Sequence, residues 1–252
     1  MKKILLFCLI PGYVSFVCAQ ESKQGQFSGN YNIVFQTFQK DSLINAAEPD
    51  EKIMMNSYAN FTYSYQNFKA GGRFEGALNP IPGYDARNNG IGFPNRYVSY
   101  TGEKLEATFG SFYEQFGNGL IFRSYEDKTI DFDNALDGIK ILARPIHGVY
   151  LKAIYGKQRD FFGMDDNGKS SLSLGSGIVR GADAEIFLNE LSENFAQWQT
   201  QISLGAGIIS KFQKDNDPSF ILPENVSAFS GRLGVARGNI VFFGGGYENH
   251  RL

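Results

Sequence analysis

The densest collection of chemically capable side chains is the run Gly110–Asp127. There Glu114, Arg123, Glu126 and Asp127 are interleaved with Phe112, Tyr113, Phe116 and Tyr125 and with three glycines, Gly110, Gly117 and Gly119. Both charge signs beside aromatic rings suit a segment folded inward against a wall, with Arg123 paired to one of the carboxylates. Such a segment acts either as a constriction or plug in a pore, or as a buried network that stiffens the fold. Arg73 and Glu75, on the polar side of an alternating stretch, join the set. The candidate lumen or plug residues are therefore Arg73, Glu75, Glu114, Arg123, Glu126 and Asp127.

Other chemistry is poorly supplied. The two histidines are His147, within the turn-like Arg144-Pro145-Ile146-His147-Gly148, and His250. An esterase of the barrel-phospholipase type needs a serine and an orienting group beside its histidine, and nothing in the sequence marks such a set. Transition-metal ligands are scarce. Asp165-Asp166-Asn167-Gly168 and the group Asp131, Asp133, Asn134 and Asp137 resemble pieces of a calcium loop. Both lack the full ligand spacing and the closing Glu, and Asp-Asn-Gly is explained by turn chemistry. Gly117-Asn118-Gly119 is followed by no lysine and helix, so it is not a phosphate loop. No catalytic, cofactor or metal site is expected, and no enzymatic activity.

The elements that position these residues have a period of two. Trp198, Thr200, Ile202, Leu204, Ala206 and Ile208 alternate with Gln199, Gln201, Ser203, Gly205 and Gly207. Ala59, Phe61, Tyr63 and Tyr65 alternate with polar residues, as do Phe68, Ala70, Gly72, Phe74 and Leu78 with Lys69, Arg73 and Glu75. Such alternation is a strand with two unlike faces. Further strands are expected at 27–37, 105–112, 182–189 and 227–235, and no convincing helical period occurs. Long links near 39–52, 79–95, 113–135, 157–177 and 213–225 alternate with short turns near 66–69, 102–104, 145–147 and 237–239 and a middling one at 189–196. That rhythm fits an up-and-down barrel with turns at one rim and loops at the other. Strands of roughly 10–14 residues exceed the ~5–6 usual in soluble sheets and suit the ~9–11 that cross a bilayer. Tyr31, Phe38, Tyr58, Phe68, Tyr97 and Tyr155 near strand ends fit interfacial girdles. A soluble periplasmic β-protein is the alternative.

Location follows from the start of the chain. Lys2 and Lys3, the apolar run Ile4–Val17 and Val17-Cys18-Ala19 read as a secretory signal spanning 1–19. A membrane anchor does not fit, because Pro11 and Gly12 interrupt a run already too short to span. A lipoprotein signal at Cys18 lacks the expected preceding residues. Both cysteines, Cys8 and Cys18, fall inside the signal, so the exported chain has no disulfide. Losing Lys2 and Lys3 moves the formal charge from -2 to -4, which leaves no footprint for nucleic acid. With 15% aromatic residues and 29 glycines, the chain is neither disordered nor typical of a soluble domain.

Three runs carry a resemblance: Phe112-Tyr113-Glu114-Gln115-Phe116-Gly117-x-Gly119-Leu120, Arg123-x-Tyr125-Glu126-Asp127, and Asp133-Asn134-x-Leu136-x-Gly138. Together with Phe229-Ser230-Gly231-Arg232 and Gly246-Tyr247-Glu248, this pattern resembles an uncharacterised family of Bacteroidetes outer-membrane barrel proteins. The resemblance implies an outer-membrane location, a large barrel about twice this length, and no assigned activity. The expectation is thus an all-β, antiparallel up-and-down transmembrane barrel over 20–252, an N-terminal portion of about ten to twelve strands. The expected function is porin-like passage of small solutes, with outer-membrane lipid as the surrounding partner. A non-conducting barrel serving another envelope protein is the alternative, and an envelope phospholipase a remote third.

Overall fold

Among the described residues, eleven strands, each hydrogen-bonded to its neighbours in chain order, make one antiparallel sheet. The computed structural model describes residues 24–40, 42–44, 51–165, 168–214 and 223–251, the last three by backbone only. The expected signal at 1–19, Asp166-Asn167 and the side chain of His250 lie outside the described residues. The strands are β1 (Gln26–Thr37), β2 (Ile53–Tyr65), β3 (Phe68–Leu78), β4 (Ile91–Thr101), β5 (Leu105–Phe112), β8 (Leu136–Ala143), β9 (Val149–Met164), β10 (Ser170–Phe187), β11 (Thr200–Phe212), β12 (Asn225–Arg237) and β13 (Ile240–Arg251). The two-residue strands β6 (Glu126–Asp127) and β7 (Phe132–Asp133) form a separate hairpin within the β5–β8 link. Single-turn helices α1 (Leu188–Leu191) and α2 (Glu193–Ala196) fill the middling connection.

Short turns follow β2, β4, β8 and β12, and longer links follow β1, β3, β5 and β11. The link expected at 157–177 differs. Strand pairing continues through it, Ser170 opposite Met164, so β9 and β10 form a hairpin that outruns its neighbours. Its other partner strands stop lower, at Leu136 opposite Gln158 and at Phe212 opposite Ile178. Polar residues placed this stretch among the loops, whereas backbone pairing within one hairpin needs no apolar face.

The sheet is strongly curled. Strands β3 and β9 stand four positions apart, roughly 19 Å on a flat sheet. Yet Arg159 on β9 holds Glu75 on β3 at 2.8 Å, so their inner faces confront one another. Among the described residues no ladder joins β1 to β13.

Alternation assigns the faces. The 113–135 link lies over the inner face, burying Phe112, Phe116, Leu136, Ile154, Val179 and Ile209 together. The outer face carries exposed apolar side chains, among them Phe109, Leu151, Tyr155, Leu204, Ile208, Phe229 and Leu233. Tyr58 and Tyr97, expected in outer girdles, instead face inward: Tyr58 is buried and donates to Asp131, and the Tyr97 hydroxyl meets that of Thr62 at 3.3 Å. Their even and odd positions on β2 and β4 decide this, since strand parity overrides proximity to a strand end.

Candidate functional site

The link leaves β5 at Phe112, crosses the inner face and returns at Leu136. Its first half folds back on itself: the Phe116 N–H donates to the Phe122 carbonyl at 3.1 Å, and Gln115 bridges to Arg123. Gly117 (φ 52°) and Gly119 (φ 85°) make the tight return, which a side-chain-bearing residue adopts only with strain. The second half is the β6–β7 hairpin, with Asn134 Oδ1 accepting the Tyr125 N–H at 2.7 Å.

The hairpin closes an ionic cluster against the wall. Arg73 on β3 donates through Nε to Glu75 at 2.6 Å, through Nη2 to Asp133 at 2.5 Å, and through Nη1 to Glu126. Arg159 completes the cluster, reaching Glu75 Oε2 and Asp133 Oδ2 at 2.8 Å each. Only 5% of the Arg73 side chain and 8% of that of Arg159 are accessible. Two guanidiniums face three carboxylates, and the planar fork of arginine lets each serve several at once. Tyr113 donates to Asp133 at 2.9 Å and Tyr58 to Asp131 at 2.6 Å, while Asn88 donates to the other Asp131 oxygen at 3.0 Å. Burial pushes the carboxyls of Glu126 and Asp131 above the usual carboxylate range. Arg73 opposes this at Glu126, and the Tyr58 hydroxyl opposes it at Asp131. Burial and the Asp133 charge hold the Tyr113 hydroxyl protonated.

The other end of the link is apolar. Phe116, 1% exposed, seats against the wall with Ile121 and Phe122 beside it. The wall is cleared to receive it: a Cβ on Gly181 would meet the Phe116 ring at 2.9 Å and the Ile208 carbonyl at 2.8 Å. Nearby, the buried pair Arg232–Asp183 (2.9 Å) lies beneath Gly117, where a Cβ would meet the guanidinium carbon at 2.6 Å. Between the two ends, Glu114 is held by Lys152 at 2.8 Å and Lys140 at 3.5 Å.

The six residues singled out by sequence therefore separate. Arg73, Glu75 and Glu126 converge in one cluster, and Glu114 joins two lysines elsewhere. Asp127 is half-buried at the hairpin turn, where the Thr129 hydroxyl and N–H hold its carboxyl below the usual range. Arg123 is a correction: it pairs with no carboxylate among the described residues and lies over the Tyr125 ring at 4.3 Å. The bridge to Gln115 orients it away from the wall, and Arg73 takes Glu126 instead. Sequence reading missed Arg159, Asp183, Arg232, Lys140 and Lys152. Strand parity could have found all but Arg159. His147 lies at the short-turn rim, its Nδ1 2.6 Å from the Glu190 carbonyl oxygen.

Chemically, the arrangement fixes a folded segment across a curled wall with buried ion pairs. The sequence matches a family of unknown function (DUF6029) over residues 1–247. No curated protein matches it. The chain belongs to that DUF6029 family.

Proposed function

We propose that this DUF6029 protein is an outer-membrane β-barrel protein, related to the Bacteroidetes barrels its motifs resemble, and that it passes small solutes in a porin-like manner. In this reading the segment 113–135 sets the width and charge of the lumen. The observation that carries it is the opposition of the two faces. Apolar side chains stand exposed on the outer face, while Arg73, Arg159, Glu75 and Asp133 are buried on the inner one. Soluble sheets do the reverse, and exposed apolar surface of this extent marks an interaction site or a lipid contact. The apolar outward run Ile202–Ile208 is roughly 20 Å long at about 3.3 Å per residue, close to the ~25 Å band of outer-membrane barrels. Selection would come from pore width and lining charge without bond chemistry.

Planar-bilayer conductance of the full-length gene product, refolded in detergent and verified as β-rich, tests this. Discrete steps whose ion selectivity shifts in Arg123→Glu support passage past the segment, because Arg123 is an exposed cation on it with no carboxylate partner among the described residues. Silence from a well-folded barrel overturns the porin reading. The buried Phe116 anchor favours a second reading in that event: a plugged barrel serving another envelope protein, tested by co-purification.

A further inference from the structure

The outer face has a sharp upper boundary. Outward positions run Leu105, Ala107, Phe109 and then Ser111 on β5; Ala143, Ile141, Ile139 and then Asp137 on β8; Leu151, Ala153, Tyr155 and then Lys157 on β9. On β10 they run Ile186, Ala184, Ala182 and then Arg180. Each strand thus changes from apolar to polar at nearly one level, towards the long-link rim. At that level Arg96 is neutralised by Asp137 at 3.0 Å. Lys157 and Arg180 are exposed, and neither is ion-paired among the described residues, since Asp137, opposite Lys157 across the β8–β9 ladder, is engaged by Arg96. They are diagonal neighbours, since Lys157 faces Ile178 and Arg180 faces Tyr155 across the β9–β10 ladder.

Directly below Arg180 the outer surface dips into a shallow, open depression. Ala182, Ala184 and Ala206, bordered by Leu151, Ile208 and Phe229, line a trough of about 510 Å³. The alanines make it, because their neighbours on the same face are much larger. Two unpaired cations above an apolar trough match a molecule with an anionic head and a hydrocarbon chain.

We propose that this surface seats one membrane lipid with a phosphate-bearing headgroup, the phosphate on Lys157 and Arg180 and an acyl chain in the alanine trough. The proposal rests on the outer-membrane reading above. Cations at the edge of an apolar band gain from anionic headgroups, whereas the same charges facing hydrocarbon are costly. Tyr155, 53% exposed between the two cations, supplies an interfacial aromatic at the same level.

The test uses the full-length protein in nanodiscs of phosphatidylcholine, with or without phosphatidylglycerol of identical chains, and counts retained lipid by native mass spectrometry. Heat-modifiable migration measures insertion separately. The wild type should retain phosphatidylglycerol preferentially. The double variant Lys157→Gln/Arg180→Gln should lower that preference roughly tenfold or more, with Lys69→Gln on the inner face unchanged. Ala206→Phe, which fills the trough and leaves both cations, should lower it too. Retention indifferent to the double variant overturns the proposal, as does displacement of the lipid by inorganic phosphate alone. If Ala206→Phe has no effect while the charge variant does, diffuse attraction replaces a seated lipid and the proposal fails. Failure to insert in either membrane overturns the outer-membrane reading itself.

Discussion

The inserted segment is held at its two ends by opposite physics. At the β6–β7 end, guanidiniums and carboxylates from β3, β9 and the hairpin satisfy one another. At the Gln115–Arg123 end, a phenylalanine fills a space left by a glycine, and Arg232 and Asp183 beneath it are already paired with each other on the wall. The ionic end is intolerant of a missing partner, because what remains is an uncompensated buried charge. The apolar end is intolerant of a changed volume, because close packing leaves nothing to relax into.

That contrast can be broken from either side. The largest effect is expected for Arg73→Met, which strands Glu126 and leaves Glu75 and Asp133 to Arg159 alone. It should cost about 3–5 kcal/mol in denaturant unfolding of the refolded protein, and no salt concentration should restore it. Phe116→Ala should cost about 3 kcal/mol in the same assay, and Phe116→Leu much less, since only volume is at stake. Gly181→Ala should cost about 1–3 kcal/mol by pushing on Phe116 and the Ile208 carbonyl. Relief of that cost in Gly181→Ala/Phe116→Leu would show that the two positions share one contact.

A smaller effect separates the ends by pH. Burial raises the carboxyls of Glu126 and Asp131, so the docked hairpin takes up protons more readily than a released one. The resulting stabilisation is complete below the ordinary carboxylate pKa and lost as pH rises through the raised values. Trypsin cleavage after Lys128, followed from about pH 7 down towards the ordinary carboxylate range near 4 and normalised to a reference peptide, should therefore slow. The Phe116 end is held by apolar packing and should show no comparable dependence. Smallest of all, Arg123→Ala removes an exposed cation from the Tyr125 face and should change stability by less than about 1 kcal/mol.

Much of the fold was legible because a strand's side chains alternate wherever its ladder runs without a bulge. Phe61 and Tyr63 opposite Asn60 and Thr62, or Ile202 and Leu204 opposite Gln201 and Ser203, fix two unlike faces wherever the strand pairs. Arg73 and Glu75 were legible for the same reason, as charges on the face without Phe68 and Phe74. Arg159 was not. Lys157 and Arg159 share parity yet face opposite sides, because the ladder slips between Leu174 and Ile178 opposite them. A bulge of this kind leaves no hydrophobic pattern to read. Arg123 failed differently: its proximity to Glu126 and Asp127 in sequence suggested a pair, but the bridge to Gln115 turns it away from the wall and over Tyr125.

The amino-acid sequence by itself determined the antiparallel all-β architecture, the near-count of strands, the faces of the regularly paired stretches, and the concentration of charge in one link. These follow from local periodicity and turn chemistry, which each strand carries alone. Which carboxylate each guanidinium meets was decided only by the tertiary structure. Residues 75 and 159 come together only when the sheet curls through four strands, and the slot for Phe116 exists only once β10 and β11 are paired with Gly181 facing inward. Curvature is a property of the whole sheet, summed over many small twists, and no single stretch of sequence encodes it.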